Sequence, residues 1–294
     1  MSGAGPASPA TVRVIREIPE LRRHVDAARQ AGARVGFVPT MGALHDGHLS
    51  LMRRARAECE LVVVSIFVNP AQFNDARDFE RYPRDEARDV ELAATAGVDV
   101  VFAPDAGAIY PPGFATSVSV DGVSVPLEGA YRGAEHFRGV ATVVTKLFNI
   151  VAPHVAYFGQ KDAQQALVIR RMVRDLDFPV TIEVCPTVRE RDGLAMSSRN
   201  VRLEGSDRAR ALALKAGLDA AAAAVADGVR DPRNVVARAT TAMRAHGVEP
   251  EYVAAVDAAT LAEPETLRGE TLVAIAAAVG PVRLIDNCLL DVPA

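Results

Sequence analysis

The sequence predicts an α/β protein: a Rossmann-like, doubly wound parallel sheet with a smaller α+β C-terminal domain. Three observations carry this. From about residue 34 to 186, short β-branched runs alternate with helical patterns, as strands joined by crossover helices do. Each run is short and apolar, as strands buried on both faces are. After Val188 two helical segments precede three strand-like runs, a grouping typical of an α+β domain. The boundary falls between residues 187 and 188, giving domains 1–187 and 188–294.

Taken in order, Met1 to Thr11 is rich in Ser, Ala, Gly and Pro, lacks a basic region followed by an apolar stretch, and reads as a frayed tail without a secretory signal. Strands are expected at Arg34–Val38, Leu61–Val68, Val98–Phe102, Val155–Phe158 and Val180–Val184. Helices are expected at His48–Glu58, Arg84–Ala96, Val140–Val151 and Ala163–Leu176, where Val168, Met172 and Leu176 are spaced for one buried face. The Gly- and Pro-rich stretch from Pro111 to His136 predicts long loops. The C-terminal part reads as helices over Asp207–Ala226 and Asp231–His246, then strands near Tyr252–Val256, Thr271–Ala278 and Val282–Leu290. No internal repeat is evident.

Composition narrows the function classes. Of 294 residues 49% are hydrophobic and 24% charged, inside the globular range. A net charge of −4 and a pI near 5.9 provide no basic field for a polyanion, which disfavours nucleic acid as the main partner while leaving room for a local basic pocket. Cys59, Cys185 and Cys288 are far apart and lack zinc spacing, so a reducing cytosol is expected. No run reaches the roughly 20 apolar residues that cross a bilayer, so no membrane partner is expected.

Chemistry concentrates where expected strands run into helices. The segment Gly36 to His48 contains Met41-Gly42-Ala43-Leu44-His45-Asp46-Gly47-His48 directly after the first expected strand. In an open α/β sheet this is where a nucleotide binds, with a helix N-terminus turned to its phosphates. His45 and His48, three apart, fall on one side of a helical turn and can donate hydrogen bonds to phosphate oxygens, while Gly42 and Gly47 allow close approach. A helix-capping pair or a metal pair accounts for the same spacing.

Three further segments follow the same logic. Tyr157 to Gln165 again passes from strand to helix, and Lys161 at a helix start opposes the macrodipole unless an anion binds there. Asp162 reads as a helix cap or a catalytic group, and Gln165 can offer an amide to a pocket. In Val188 to Asn200 an Arg and the hydroxyls of Ser197 and Ser198 suit a mobile clamp on a polyphosphate, or form an ordinary linker. Asn69 and Gln72 follow the strand Leu61–Val68 and suit either hydroxyl and carboxylate recognition or a turn. His136 reads first as a loop histidine.

PTMGALHDGH, VSIFVNPAQF, HFRGVATVV, YFGQKDAQQ and VRERDGLAMSSRN, in that order over residues 34 to about 203, resemble the blocks of the pantoate-β-alanine ligase family; the C-terminal region is similar only loosely. The His45/His48 pair and Met196-Ser197-Ser198-Arg199 are also similar to the two signatures of the wider HxGH nucleotidyl-transfer superfamily. The resemblance implies an AMP-forming ligase that joins pantoate to β-alanine with ATP and Mg²⁺, cytoplasmic and homodimeric, its smaller domain a lid. By resemblance Met41 to His48 bind ATP, with His48, His45 and Lys161 catalytic. Gly159, Gln160, Lys161, Asp162, Val188, Met196, Ser197, Ser198 and Arg199 complete the nucleotide site. Gln72 and Gln165 would hold pantoate, Gln72 also serving β-alanine. One departure is the stretch Leu127 to His136, about one residue longer than usual and without the usual Pro. Two rivals are weighed: a nucleotidyl transferase that uses no amine, which would favour a basic substrate pocket where this chain has two glutamines, and a non-catalytic nucleotide sensor, against which the retained histidines, Lys161 and Arg199 count.

Overall fold

The computed structural model describes residues 12–74 and 76–293, so the expected N-terminal tail lies outside the described residues. The chain divides into two compact units. The first comprises residues up to Val120, Arg132–Gly159 and Val168–Cys185; the second comprises Asp121–Tyr131, Gln160–Leu167 and the chain from Pro186 on.

Within the first unit the elements run β1 (Arg13–Ile15), α1 (Ile18–Gln30), β2 (Val35–Thr40), α2 (Asp46–Glu58), β3 (Leu61–Ile66), a 3₁₀ turn (Pro70–Gln72), α3 (Ala76–Glu80), α4 (Glu86–Thr95), β4 (Val100–Phe102) and α5 (Ala106–Ile109). Next in the chain come α6 (Glu128–Arg132), α7 (Ala134–Val151), β5 (Val155–Gly159), a second 3₁₀ turn (Gln160–Asp162), α8 (Ala163–Asp175) and β6 (Thr181–Cys185). The six strands form one sheet, paired in parallel, in the order β1-β4-β3-β2-β5-β6.

The sheet is doubly wound because its strands are apolar on both sides. Along β2, Val38 packs with Leu49, Met52 and Val64 on one face, while Phe37 meets Phe148 of α7 edge-on at 6.4 Å on the other. Successive strand residues point to opposite faces, so a run such as Val35–Val38 requires a helical layer on each. From β2 the chain winds outward through β3 and β4, then returns to start β5 on β2's other side. The order in which the chain adds strands reverses between β2 and β5, and in an open α/β sheet the carboxyl ends of two such strands are the ligand-binding position.

The structure adds β1 and α1, which precede the expected first strand. β1 is three residues long, two of them exposed, too short for a periodicity to register. α1 did carry a signal, Pro19 in its first turn and Leu21 and Val25 on its buried face. The region expected to be long loops holds α6 and the start of α7, which begins at Ala134 after Gly133 at φ 81°.

The second unit contains α9 (Gly205–Arg210), α10 (Ala213–Ala226), α11 (Pro232–Ala245), β7 (Tyr252–Asp257), β8 (Gly269–Val279) and β9 (Val282–Val292). The strands form an antiparallel sheet in the order β7-β8-β9. The single helix expected over Asp207–Ala226 is two, broken at Ala211 and Leu212. Leu214, Leu218, Ala221, Val235, Ala239 and Met243 join Val273, Ile275, Val282 and Leu284 in one core. The expected change from α/β to α+β architecture holds.

Candidate active site

In the first unit the loop between β2 and α2 is built around backbone donors. Thr40 Oγ1 donates to the Ser65 carbonyl at 2.7 Å and accepts the Gly42 N–H at 3.1 Å. Asp89, on the buried face of α4, accepts the Ala43 N–H at 2.8 Å and the Leu44 N–H at 2.7 Å. Burial pushes the Asp89 carboxyl above the usual carboxylate range, against these two backbone bonds, which pull it down. Gly42 has φ +78°, and a Cβ there would lie 2.8 Å from Asp89 Oδ2, so both its conformation and its surroundings require glycine.

His45 and His48 form the helix cap that the sequence left open as an alternative, and this capping equips them as donors. His45 is the N-cap of α2 and His48 its third residue, joined in a capping box. His45 Nδ1 accepts the Gly47 N–H at 3.2 Å, and His48 Nδ1 accepts the His45 N–H at 3.4 Å. An imidazole nitrogen that accepts carries no proton, so the neutral ring holds its hydrogen on Nε2. The ring centroids are 4.1 Å apart. The donor nitrogen of each ring is thereby Nε2, at a helix N-terminus beside the carboxyl end of β2.

Gln72 ends the 3₁₀ turn after β3. Its Oε1 accepts from Asn69 Nδ2 at 3.0 Å and its Nε2 donates to Met41 Sδ at 3.1 Å. Asn69, 1% exposed, also donates to the Gly139 carbonyl at 3.2 Å, and its Oδ1 accepts from Ala71 N and from Tyr110 Oη. Burial pushes the Tyr110 phenol up to about 12, keeping it a donor. Asn69 is therefore committed to the turn it caps, whereas Gln72 sits at the turn's end against Met41. His136, expected in a loop, lies in the first turn of α7 with Nδ1 2.8 Å from the Gln72 carbonyl.

In the second unit Gln160–Asp162 form a 3₁₀ turn leading into α8, with Lys161 Nζ 3.8 Å from Asp162 Oδ1. Gln165 is half-buried in the next turn, while its neighbour Gln164 is buried and structural. Gln164 Nε2 donates to the Val123 and Pro126 carbonyls and Oε1 accepts the Glu128 N–H.

The stretch Val188–Arg199 is a hairpin, not an extended linker. Arg189 bridges Ala195, and the Met196 N–H reaches the Val188 carbonyl at 3.0 Å. The Arg199 N–H meets Ser197 Oγ at 3.3 Å, forming a hydroxyl-capped turn at the Ser-Ser-Arg sequence. Arg189 makes a two-pronged ion pair with Asp286, at 2.6 and 3.0 Å, and Arg208 bridges Glu190 and Asp192.

Sequence reasoning missed Asp89, Asp286 and Asn287. Each left a trace: Asp89 shares the buried stripe of α4 with Ala93, and Asp286-Asn287 interrupts an apolar strand. A polar side chain on a buried face needs partners.

Among the described residues no group of three or more His, Cys, Asp or Glu is placed to hold a metal ion, and no helix is long and apolar enough to cross a membrane.

The pantoate-beta-alanine ligase family model matches residues 13–289, which includes the C-terminal region where the sequence resemblance is loose. The chain is 54% identical over 275 residues to a pantothenate synthetase of Cereibacter sphaeroides, covering 93% of this chain and 98% of the relative. It is 52% identical over 284 residues to that of Moorella thermoacetica, covering 96% and 99%. A crystal structure of pantothenate synthetase from Thermus thermophilus superposes with a TM-score of 0.90 at 45% identity, over 96% of this chain and all of that one. The pantoate-beta-alanine ligase of Francisella tularensis, complexed with beta-gamma ATP and beta-alanine, gives a TM-score of 0.75 at 33% identity over 95% and 97%. The chain belongs to the pantoate-β-alanine ligase family.

Proposed function

We propose that this chain catalyses the ATP-dependent condensation of pantoate with β-alanine, giving pantothenate, AMP and pyrophosphate through a pantoyl-adenylate. The observation that carries this reading is the His45/His48 capping box, which turns two imidazoles into Nε2–H donors at the sheet's ligand-binding end.

A carboxylate is a poor acceptor for an amine, so the acid is first activated. A pantoate carboxylate oxygen attacks the α-phosphorus of ATP, the bond to the β-phosphate breaks, and pyrophosphate leaves. Two anions about 4 Å apart repel by roughly 4 kcal/mol at an effective dielectric near 20, so donors and cations must already be in place. Met41 to His48 bind the triphosphate, with His48 and His45 donating to oxygens whose charge grows as pyrophosphate departs. Gly159 to Asp162, Val188 and Met196 to Arg199 complete nucleotide binding, with Lys161 and Arg199 as the cations. The neutral amine of β-alanine then attacks the adenylate carbonyl, the C–O bond to AMP breaks, and the amine gives up a proton. Gln72 and Gln165 hold pantoate through its hydroxyls, and Gln72 also serves β-alanine.

Asp162, whose side chain is 50% exposed on the Lys161 turn, would offer a carboxylate oxygen suited to a hard divalent cation. Mg²⁺ bound with the triphosphate neutralises phosphate charge. The family resemblance further supports a cytoplasmic homodimer.

The test is AMP release by the full chain with ATP and Mg²⁺. Release only when pantoate and β-alanine are both present supports the reading; pyrophosphate released without an amine and without free AMP points to a nucleotidyl transferase, which leaves AMP on its acceptor, and neither product to a sensor. Replacing pantoate with its deoxy analogues should slow adenylation strongly, because the half-buried amides of Gln72 and Gln165 would lose their partners. Equal rates would remove Gln72 and Gln165 from the proposed role.

A further inference from the structure

Strand β9 carries two adjacent buried polar residues, Asp286 (3% exposed) and Asn287 (5% exposed), in the middle of an otherwise largely apolar run. Successive residues of a strand point to opposite faces, so the two side chains reach different neighbours. Asn287 Nδ2 donates to two consecutive carbonyls, Gln160 O at 2.9 Å and Lys161 O at 2.8 Å. Its Oδ1 accepts from Gln160 Nε2 at 3.0 Å. One amide thus binds the carbonyls of the two peptide units that flank Lys161 and fixes the backbone from which the lysine side chain departs. Asp286 receives Arg189 in the two-pronged pair, and the same guanidinium donates to the Gly193 carbonyl at 3.1 Å, closing the hairpin that starts at Val188. Asp286 Oδ1 also accepts the Asn287 N–H at 2.8 Å, so the two anchors are coupled.

Nothing in the packing of the small sheet needs this arrangement. β9 pairs with β8 through backbone bonds along its length, and apolar side chains would fill the same positions without placing an amide and a carboxylate in the core. What the polar pair achieves is register, because one dipeptide sets two chain segments distant in sequence.

We propose that Asn287 and Asp286 are positioning residues for the nucleotide: Asn287 sets the Lys161 turn, Asp286 sets the Val188–Arg189 hairpin, and ATP use depends on both. This rests on the reading of Lys161 and Val188 as nucleotide-binding. Asn287→Ala removes this donor from two half-buried carbonyls and this acceptor from one glutamine amide, and Asn287→Asp sets a carboxylate against two carbonyl oxygens, so Asp is the more damaging change.

The experiment is steady-state kinetics of the full chain for each substrate, with circular dichroism and melting as folding controls and Lys161→Ala measured in parallel. Asn287→Ala is expected to raise KM for ATP about tenfold and to slow pantoate-dependent pyrophosphate exchange, while KM for pantoate and β-alanine changes by less than about twofold. Asn287→Asp should exceed Ala in the ATP effect, and Asn287→Ser, which keeps one donor, should fall between Ala and the unaltered chain. Asp286→Asn should give the same split toward ATP. Equal changes for all three substrates, or an unchanged ATP KM in folded Asn287→Ala, overturns the proposal. Should the Ala variant not fold, Asn287→Ser decides the matter by the same split. A crippled Lys161→Ala beside a normal Asn287→Ala sinks only this inference; a normal Lys161→Ala sinks the nucleotide-site reading beneath it.

Discussion

The Asp89 carboxylate accepts the backbone N–H of Leu44 at 2.7 Å, with a second bond from Ala43. Two consecutive amides of the proposed nucleotide loop are thereby turned toward α4, which fixes the path of the chain into the His45 cap. Asp89→Ala removes both acceptors, and hydrogen bonds to a charged group contribute about 1.5–3 kcal/mol. The expected outcome is an ATP KM raised about tenfold or more, with a lower melting temperature; Asp89→Asn, which keeps one acceptor, should do less. Titration with a non-hydrolysable ATP analogue checks it, and unaltered affinity in Asp89→Ala would contradict the assignment.

His48→Ala and Lys161→Ala are each expected to slow pantoate-dependent exchange of pyrophosphate into ATP by at least about 100-fold, the scale on which single transition-state donors act. For His48→Ala the fold should lose only about 1 kcal/mol, because the cap loses one of its two bonds. Near-normal exchange in either variant would count against the proposed chemistry.

Gly139 lets α7 lie directly against the turn that carries Gln72. A Cβ there would stand 2.2 Å from the Ala71 carbonyl oxygen and 2.8 Å from the Gln72 nitrogen, both backbone atoms. Gly139→Ala should destabilise by about 1–3 kcal/mol and displace Gln72. KM for pantoate and β-alanine should rise while KM for ATP stays near its normal value. Urea unfolding and the three KM values check this, and a variant as stable and active as the unaltered chain would show that the turn is not pinned there.

His154 links strands at the centre of the large sheet. Its Nδ1 accepts the Val35 N–H at 2.9 Å, and burial, then the charges of Arg29 and Arg34, hold the imidazole below its ordinary 6.5. The unfolded chain binds this proton more readily than the folded one, so the contribution to stability is present above pH 6.5 and is lost as pH falls through the lowered folded value. Unfolding free energy measured across that window should fall less in His154→Asn than in the unaltered chain. Identical slopes would remove His154 as a cause.

Glu128 and Arg283 join in a two-pronged pair with both contacts at 2.8 Å, and Tyr252 Oη adds a bond to the same carboxylate at 3.0 Å. Their side chains are 8% and 16% exposed. Breaking a buried pair from one side leaves an uncompensated charge at a cost of about 3–5 kcal/mol. Arg283 keeps Glu251, so Glu128→Ala is expected near the lower end, read as a loss of unfolding free energy. A change below about 1 kcal/mol would show the pair to be well solvated.

Features that depend on neighbours along the chain are legible in the order of the amino acids. Largely apolar strands such as Leu61–Ile66 announced a sheet covered on both faces, and residues placed just after strands, His45 and His48 or Lys161, marked the proposed ligand site. The spacing of the two histidines showed that they share a side, but not that each Nδ1 is occupied by a backbone donor, which decides their tautomer. Partners far apart in sequence emerge with the folded chain: Asp89 reaches Ala43 across 46 residues, and Asn287 reaches Gln160 across 127. Periodicity reports which face of an element is buried because burial acts on every residue of that face, whereas a hydrogen bond satisfies one buried polar atom with one other, and no local pattern names the second.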